Sequence, residues 1–134
     1  MQTVEGDLVR GVLEAANGSE ITISIPGTDY RIRFAQGGPT AVHPGKRVRG
    51  RVHARALRMH RASAGGAFIE PVMGQPRIVQ GVVRGVDPAA NRLLLDVVVP
   101  MWVEPFDGQR ATDFATGDLV NFYMQSGATF TPAA

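Results

Sequence analysis

VRGVLEAANGSEITISIP, residues 9 to 26, decides the fold, because its apolar residues take every second position beyond a turn signal. Ile21, Ile23 and Ile25 alternate with Thr22 and Ser24, so branched apolar groups share one face of an extended chain and hydroxyls the other. That is a half-buried strand. Asn17-Gly18 before it predicts a type I′ hairpin turn, since both residue types accept positive φ. After Pro26-Gly27, Tyr30, Ile32 and Phe34 alternate with Arg31 and Arg33 and predict a third strand. A loop rich in Gly and Pro follows, residues 35–45.

The same stretch returns 74 residues later. Val9-Arg10-Gly11-Val12 and Ala15-Ala16-Asn17 match Val83-Arg84-Gly85-Val86 and Ala89-Ala90-Asn91; Ile21, Ile23, Ile25 and Pro26 match Leu95, Val97, Val99 and Pro100. Gly45 and Val48 meet Gly117 and Val120 with two residues lost between. Duplication of an all-β unit of about sixty residues is the simplest account. The expected architecture is all-β: two duplicated barrel units packed together, with little or no helix. The first, basic unit covers residues 1–63, a packed connection residues 64–78, and the second, acidic unit residues 79–134. Phe68, Ile69 and Val72 make the connection too apolar for a free linker.

Charge is distributed unevenly over this frame. Residues 1–29 carry five acids against one base, residues 30–69 nine bases and no acid, and residues 70–134 seven acids against four bases. The formal total of +2 conceals that segregation, and it is the local field that an anionic partner meets. The densest part is RVRGRVHARALRMHR, residues 47–61. Arg47, Arg49, Arg51, His53 and Arg55 are expected outward, and Val48, Gly50, Val52, Ala54 and Ala56 inward. Leu57 and Met59 then take the parity of the arginines, which predicts a bulge or bend near Arg55 to Leu57 with both apolar residues turned inward.

Several classes are set aside. With no cysteine there is no disulfide framework and no thiolate chemistry. The start, MQTVEGDLVRG, lacks the basic and apolar regions of a signal peptide, and the longest apolar run, Leu93 to Val103, is interrupted by Asp96 and Pro100. A cytoplasmic protein without membrane association is expected. His43, His53 and His60 fit no ligand spacing, so no metal and no cofactor are expected. Enzymatic activity has no motif behind it.

Gly6-Asp7 before an alternating strand with Gly11, a hairpin, two more strands, and Pro44-Gly45-Lys46-Arg47-Val48 opening a further strand resemble small Greek-key barrels of the OB type. Within that group the chain is similar to S1-like RNA-binding barrels and about equally to TOBE domains. The first resemblance implies binding of RNA, the second of a small oxyanion. Both carry architecture and neither assigns a residue, since fold alone does not fix function.

The charge pattern leads to a non-enzymatic nucleic-acid-binding module, for RNA or DNA, single-stranded or structured. Its expected contacts are Arg31, Arg33, Arg47, Arg49, Arg51, His53, Arg55 and Arg58, with Tyr123 on the matching strand of the second unit offering a phenol. Arginines bridged to Glu5, Asp7, Glu14 and Glu20 on neighbouring strands would instead make a solvated structural face. Two alternatives stand beside nucleic-acid binding: an assembly module that self-associates as a homo-oligomer or binds an acidic protein, and a TOBE-like oxyanion binder. Trp102, set among valines, is expected in the core.

Overall fold

The computed structural model describes residues 6–133; Glu5, and the first five residues on which the leader expectation partly rests, lie outside them. Twelve strands form the fold, with one 3-10 turn, Ala111–Asp113, and no α-helix among the described residues. The first four are β1 (Val9–Ala16), β2 (Glu20–Ser24), β3 (Arg31–Gln36) and β4 (Arg47–Arg55). They form an antiparallel meander, β1 to β2 to β3, with β4 returning to pair antiparallel with β1. The last strand of the chain, β12 (Thr129–Pro132), lies parallel to β3 and antiparallel to β4. The circuit β1-β2-β3-β12-β4-β1 is a closed five-stranded barrel of OB-like order. Its interior holds Val9, Leu13, Ile21, Ile23, Ile32, Phe34, Val52 and Phe130, all essentially inaccessible to solvent. Phe130, delivered by β12, stacks on Phe34 with ring centroids 6.1 Å apart.

The second half repeats this order of pairings. Strands β8 (Ile78–Asp87), β9 (Arg92–Asp96) and β10 (Pro100–Glu104) form an antiparallel meander, and β11 (Leu119–Tyr123) returns to β8. Here the circuit is completed by the first half: the end of β4 runs parallel to β10, Ala56 bridges Met124, and β5 (His60–Arg61) pairs with β11. The segment that follows the first four strands thus closes the second circuit, and the strand that follows the second four closes the first. Buried side chains of both halves accordingly form one continuous cluster.

The connection is held by two short strands. β6 (Phe68–Glu70) pairs with β8 and β7 (Met73–Gly74) with β3, and Ile69 is buried. No helix of the described residues is long and apolar enough to cross a membrane.

Two local expectations are corrected, and the two hairpins differ in register. In the first hairpin only Gly18 has positive φ, 91°, so the turn is not type I′. The Asn17 side chain instead accepts the Ser19 and Glu20 amides, the local bonding that asparagine offers a turn. The 74-residue offset does not survive as hydrogen-bond register: Ile21 pairs with Ala16, whereas its counterpart Leu95 pairs with Val83. Both hairpins carry a register shift, after Leu13 and after Val83, at positions that do not correspond, and these slide the ladders. Finally, Leu57 keeps the outward parity of the arginines and is 40% exposed, while Met59 turns inward. The phase breaks one step later than expected, at the Leu57–Arg58 bend.

Candidate functional site

Along β4 the alternation is as the sequence implies: Val48, Gly50, Val52 and Ala54 are buried, and Arg47, Arg49 and Arg55 are exposed. The outward side chains nevertheless fall into separate environments. Arg31 on β3 lies 3.6 Å from Glu14 on β1, across the intervening β2, and Arg33 3.3 Å from Glu20 on the adjacent β2. Arg55 lies 3.1 Å from Glu104, a contact between the two halves. Exposed pairs of this kind contribute at most about 1 kcal/mol. Their acids, however, would meet an approaching polyanion with like charge.

Arg51 donates from Nε to Asp7 at 2.9 Å, and the same Asp7 oxygen accepts the indole N–H of Trp102 at 3.0 Å. Asp7 is buried, and burial alone would raise its pKa. The Trp102 donor and the Arg51 guanidinium outweigh that and hold the carboxyl below the ordinary aspartate range. Trp102 is in turn covered by Arg92, whose guanidinium carbon sits 4.6 Å from the ring centroid. The indole is 3% exposed, so it offers no stacking surface. His53 is half-buried beside them in a cavity of ≈ 360 Å³. Burial, then the positive charge of Arg92, lowers its pKa, so the imidazole is neutral near pH 7.

Arg47 and Arg49 occupy a different setting. They line a cleft of ≈ 970 Å³ together with Arg10, against an apolar wall from the Gly37–Val42 loop and Pro132. Arg10 is the Cα partner of Arg49 in the β1–β4 ladder, and Arg47 is the diagonal neighbour. Like charges directly opposite each other in a sheet are unfavourable. Among the described residues, Arg10 and Arg47 form no ion pair.

Of the nine predicted contact residues, the structure therefore brings Arg47 and Arg49 into one cleft. Arg31, Arg33, Arg51 and Arg55 lie against carboxylates, and His53 lines the smaller cavity. Arg58 is exposed in the bend after β4, and Tyr123 is 62% exposed on β11. Sequence reasoning missed Arg10, the lone base in an acidic segment. Pairing of the first and fourth strands would have pointed to it, but the register that sets it against Arg49 is not readable from the chain. No protein-family model, curated protein or solved structure matches this chain.

Proposed function

We propose that the protein is a non-enzymatic module that binds single-stranded nucleic acid by gripping its phosphates in the Arg10–Arg47–Arg49 cleft. The observation that carries this is the register: three exposed guanidinium groups on two paired strands, two of them directly opposed, beside an apolar wall. Guanidinium forks bond phosphate oxygens bidentately, and phosphate would relieve the repulsion among them. Ribose and base edges of a bound strand would meet the apolar wall of Pro39, Val42 and Pro132. S1-like barrels fit this use better than TOBE domains, since a cleft of this size suits an extended ligand better than one small oxyanion. The repeated pairing order supports treating the two halves as copies of one unit, of which the first alone has the cluster.

Fluorescence anisotropy with labelled single-stranded RNA, single-stranded DNA and duplex DNA tests the proposal at low and physiological salt. Three phosphate contacts give a slope of log K against log salt of about −2 for a single strand. The Arg10→Ser/Arg47→Ser/Arg49→Ser variant is expected to lose most of the affinity and of the slope. Arg31→Ser/Arg33→Ser is expected to bind nearly as wild type, because those cations already face acids. Equal loss in both variants, or no binding at low salt, would overturn the assignment. Thermal stabilisation by molybdate, sulfate or phosphate without oligonucleotide binding would replace it with the oxyanion alternative.

The assembly alternative draws less support from charge. Arg55–Glu104, Arg51–Asp7 and Arg61–Asp118 couple basic and acidic segments within one chain, which reduces what either leaves for another copy.

A further inference from the structure

Beyond the end of β4 the outward face changes character. Glu104 is the Cα partner of Arg55 in the parallel β10–β4 ladder, and the Ala56 amide donates to the Glu104 carbonyl. Beyond these partners β10 runs on into the turn that carries Phe106, and β4 into the bend that carries Leu57. Across the other edge the Leu57 amide donates to the Tyr123 carbonyl at 2.7 Å. Leu57 and Tyr123 are thus neighbours, and with Phe106, in the turn that Gln109 ties to the same bend, they make a row of segments whose apolar or aromatic side chains are 40%, 62% and 37% exposed. These are three of the six large apolar or aromatic side chains exposed among the described residues, and hydrogen bonds tie their segments together.

The row is held firmly. The Gln109 side chain accepts the Met59 amide at 2.8 Å and donates to the Met59 carbonyl at 2.9 Å. The turn that carries Phe106 closes with the Gln109 amide donating to the Phe106 carbonyl. One side-chain amide therefore clamps the Phe106 turn to the bend after Leu57. Aromatic groups carried on segments fixed in this way cost little entropy when something flat lies on them.

We infer that this row is a base-stacking platform for the same single strand whose phosphates the arginine cleft holds. The inference rests on the proposed function. Charge complementarity selects the occupant: Arg58 lies exposed in the bend beside Leu57, and Arg77, exposed, has its carbonyl bonded by the Met124 amide next to Tyr123. Neither cation has an acidic partner among the described residues. A surface that interleaves aromatic groups with arginines suits bases and backbone together. The three residues lie just beyond the ends of β10 and β4 and at the end of β11, away from the β2–β3 face that oligonucleotide-binding barrels commonly use. On that face the first barrel presents Thr22, Ser24, Arg31 and Arg33 and no aromatic side chain. From Arg47 to Leu57 the chain spans roughly 33 Å if extended. About ten stacked nucleotides at roughly 3.4 Å each would cover it.

The test compares two probes on the full chain: a labelled twelve-nucleotide oligothymidine, and a backbone of equal length and charge whose sugars carry no bases. Wild type is expected to prefer the thymidine strand by about tenfold or more at physiological salt. Phe106→Ala/Tyr123→Ala is expected to bind both probes alike, with the salt slope unchanged, while Tyr123→Phe keeps the preference. Equal binding of the two probes by wild type, or a preference that survives the double substitution, would sink the platform. Where the arginine variant still abolishes binding, the phosphate cleft would stand without it. If wild type binds neither probe at low salt, both proposals fall together. Should the double substitution change only the mass measured by light scattering, the row belongs to a protein contact and the inference is wrong.

Discussion

Asp7 is the residue on which the most distant parts of the chain converge, since one carboxylate oxygen accepts from both Arg51 and Trp102. Replacing it with alanine would leave the buried indole N–H without its acceptor, which costs about 1–3 kcal/mol. Asp7→Asn keeps an acceptor but loses the charge, and a smaller loss is expected. The pH dependence follows from the lowered pKa. A carboxyl that ionises more readily in the folded state contributes stability that is complete above its unfolded pKa, about 4, and is lost as pH falls through the lower folded value. Urea midpoints should therefore separate wild type from Asp7→Asn at pH 7 and converge in strong acid. A gap that persists unchanged to pH 2 would mean that the charge is not what stabilises. His53 carries the same sign for a different reason. Its neutral form is favoured in the fold by burial and by Arg92, so its contribution is present above about pH 6.5 and declines below. Titration of the His53 ring protons by NMR should give a midpoint below the ordinary histidine value of about 6.5.

At the scale of elements, the β4–β12 contact decides whether the first barrel closes. Gly50 faces inward, and a Cβ there would stand 2.6 Å from the Phe130 ring and closer still to the Thr131 carbonyl oxygen. The backbone cannot withdraw from that contact without separating the two strands. Gly50→Ala is therefore expected to destabilise by about 1–3 kcal/mol, as overpacking does, and to loosen β12 in particular. Hydrogen exchange at the Phe130 and Thr131 amides should rise more than in β8 and β9; uniform change would argue against a local wedge. Individual strands were legible because their signal is local. Ile21, Ile23 and Ile25 alternate on one face, and Arg47 to Arg55 alternate against valines, with no reference to any partner. What the sequence left dark was set between elements. Nothing near Thr129 states that it will lie beside Ala35, and nothing near Trp102 states that Asp7 will cap it. Leu57 failed for a related reason: parity told that the phase would break but not at which bond, and the clamp that fixes the bend comes from Gln109, fifty residues away. The candidate site suffered most, because Arg47 and Arg33 read alike in the chain and differ only in whether a carboxylate lies across the ladder.

For the whole molecule, the exchange of closing strands ties the two halves into one folding unit. A chain of two self-contained barrels could be cut at the connection and leave two folded pieces. Here, a fragment of residues 1–63 would keep β1 to β4 but lack β12, exposing Phe34 and leaving the facing edges of β3 and β4 without partners. A fragment of residues 64–134 would lack the β4 end, Ala56 and β5, opening the gap between β10 and β11. Unpaired inner edges and open cores of this kind do not fold at such lengths without a partner. Each fragment alone is expected to show no cooperative urea transition. An equimolar mixture should regain one, with a midpoint that rises with concentration because folding has become association. Sharp, well-dispersed NMR spectra from either fragment by itself would refute the exchange. The same unit ties the proposed function to the fold: β4 carries the arginine cleft at its start, lends its middle to the first barrel and its end to the second, and runs on through Ala56 into Leu57. The mixture should therefore recover oligonucleotide binding along with its fold. Recovery of the fold without binding would place the ligand elsewhere than along this strand.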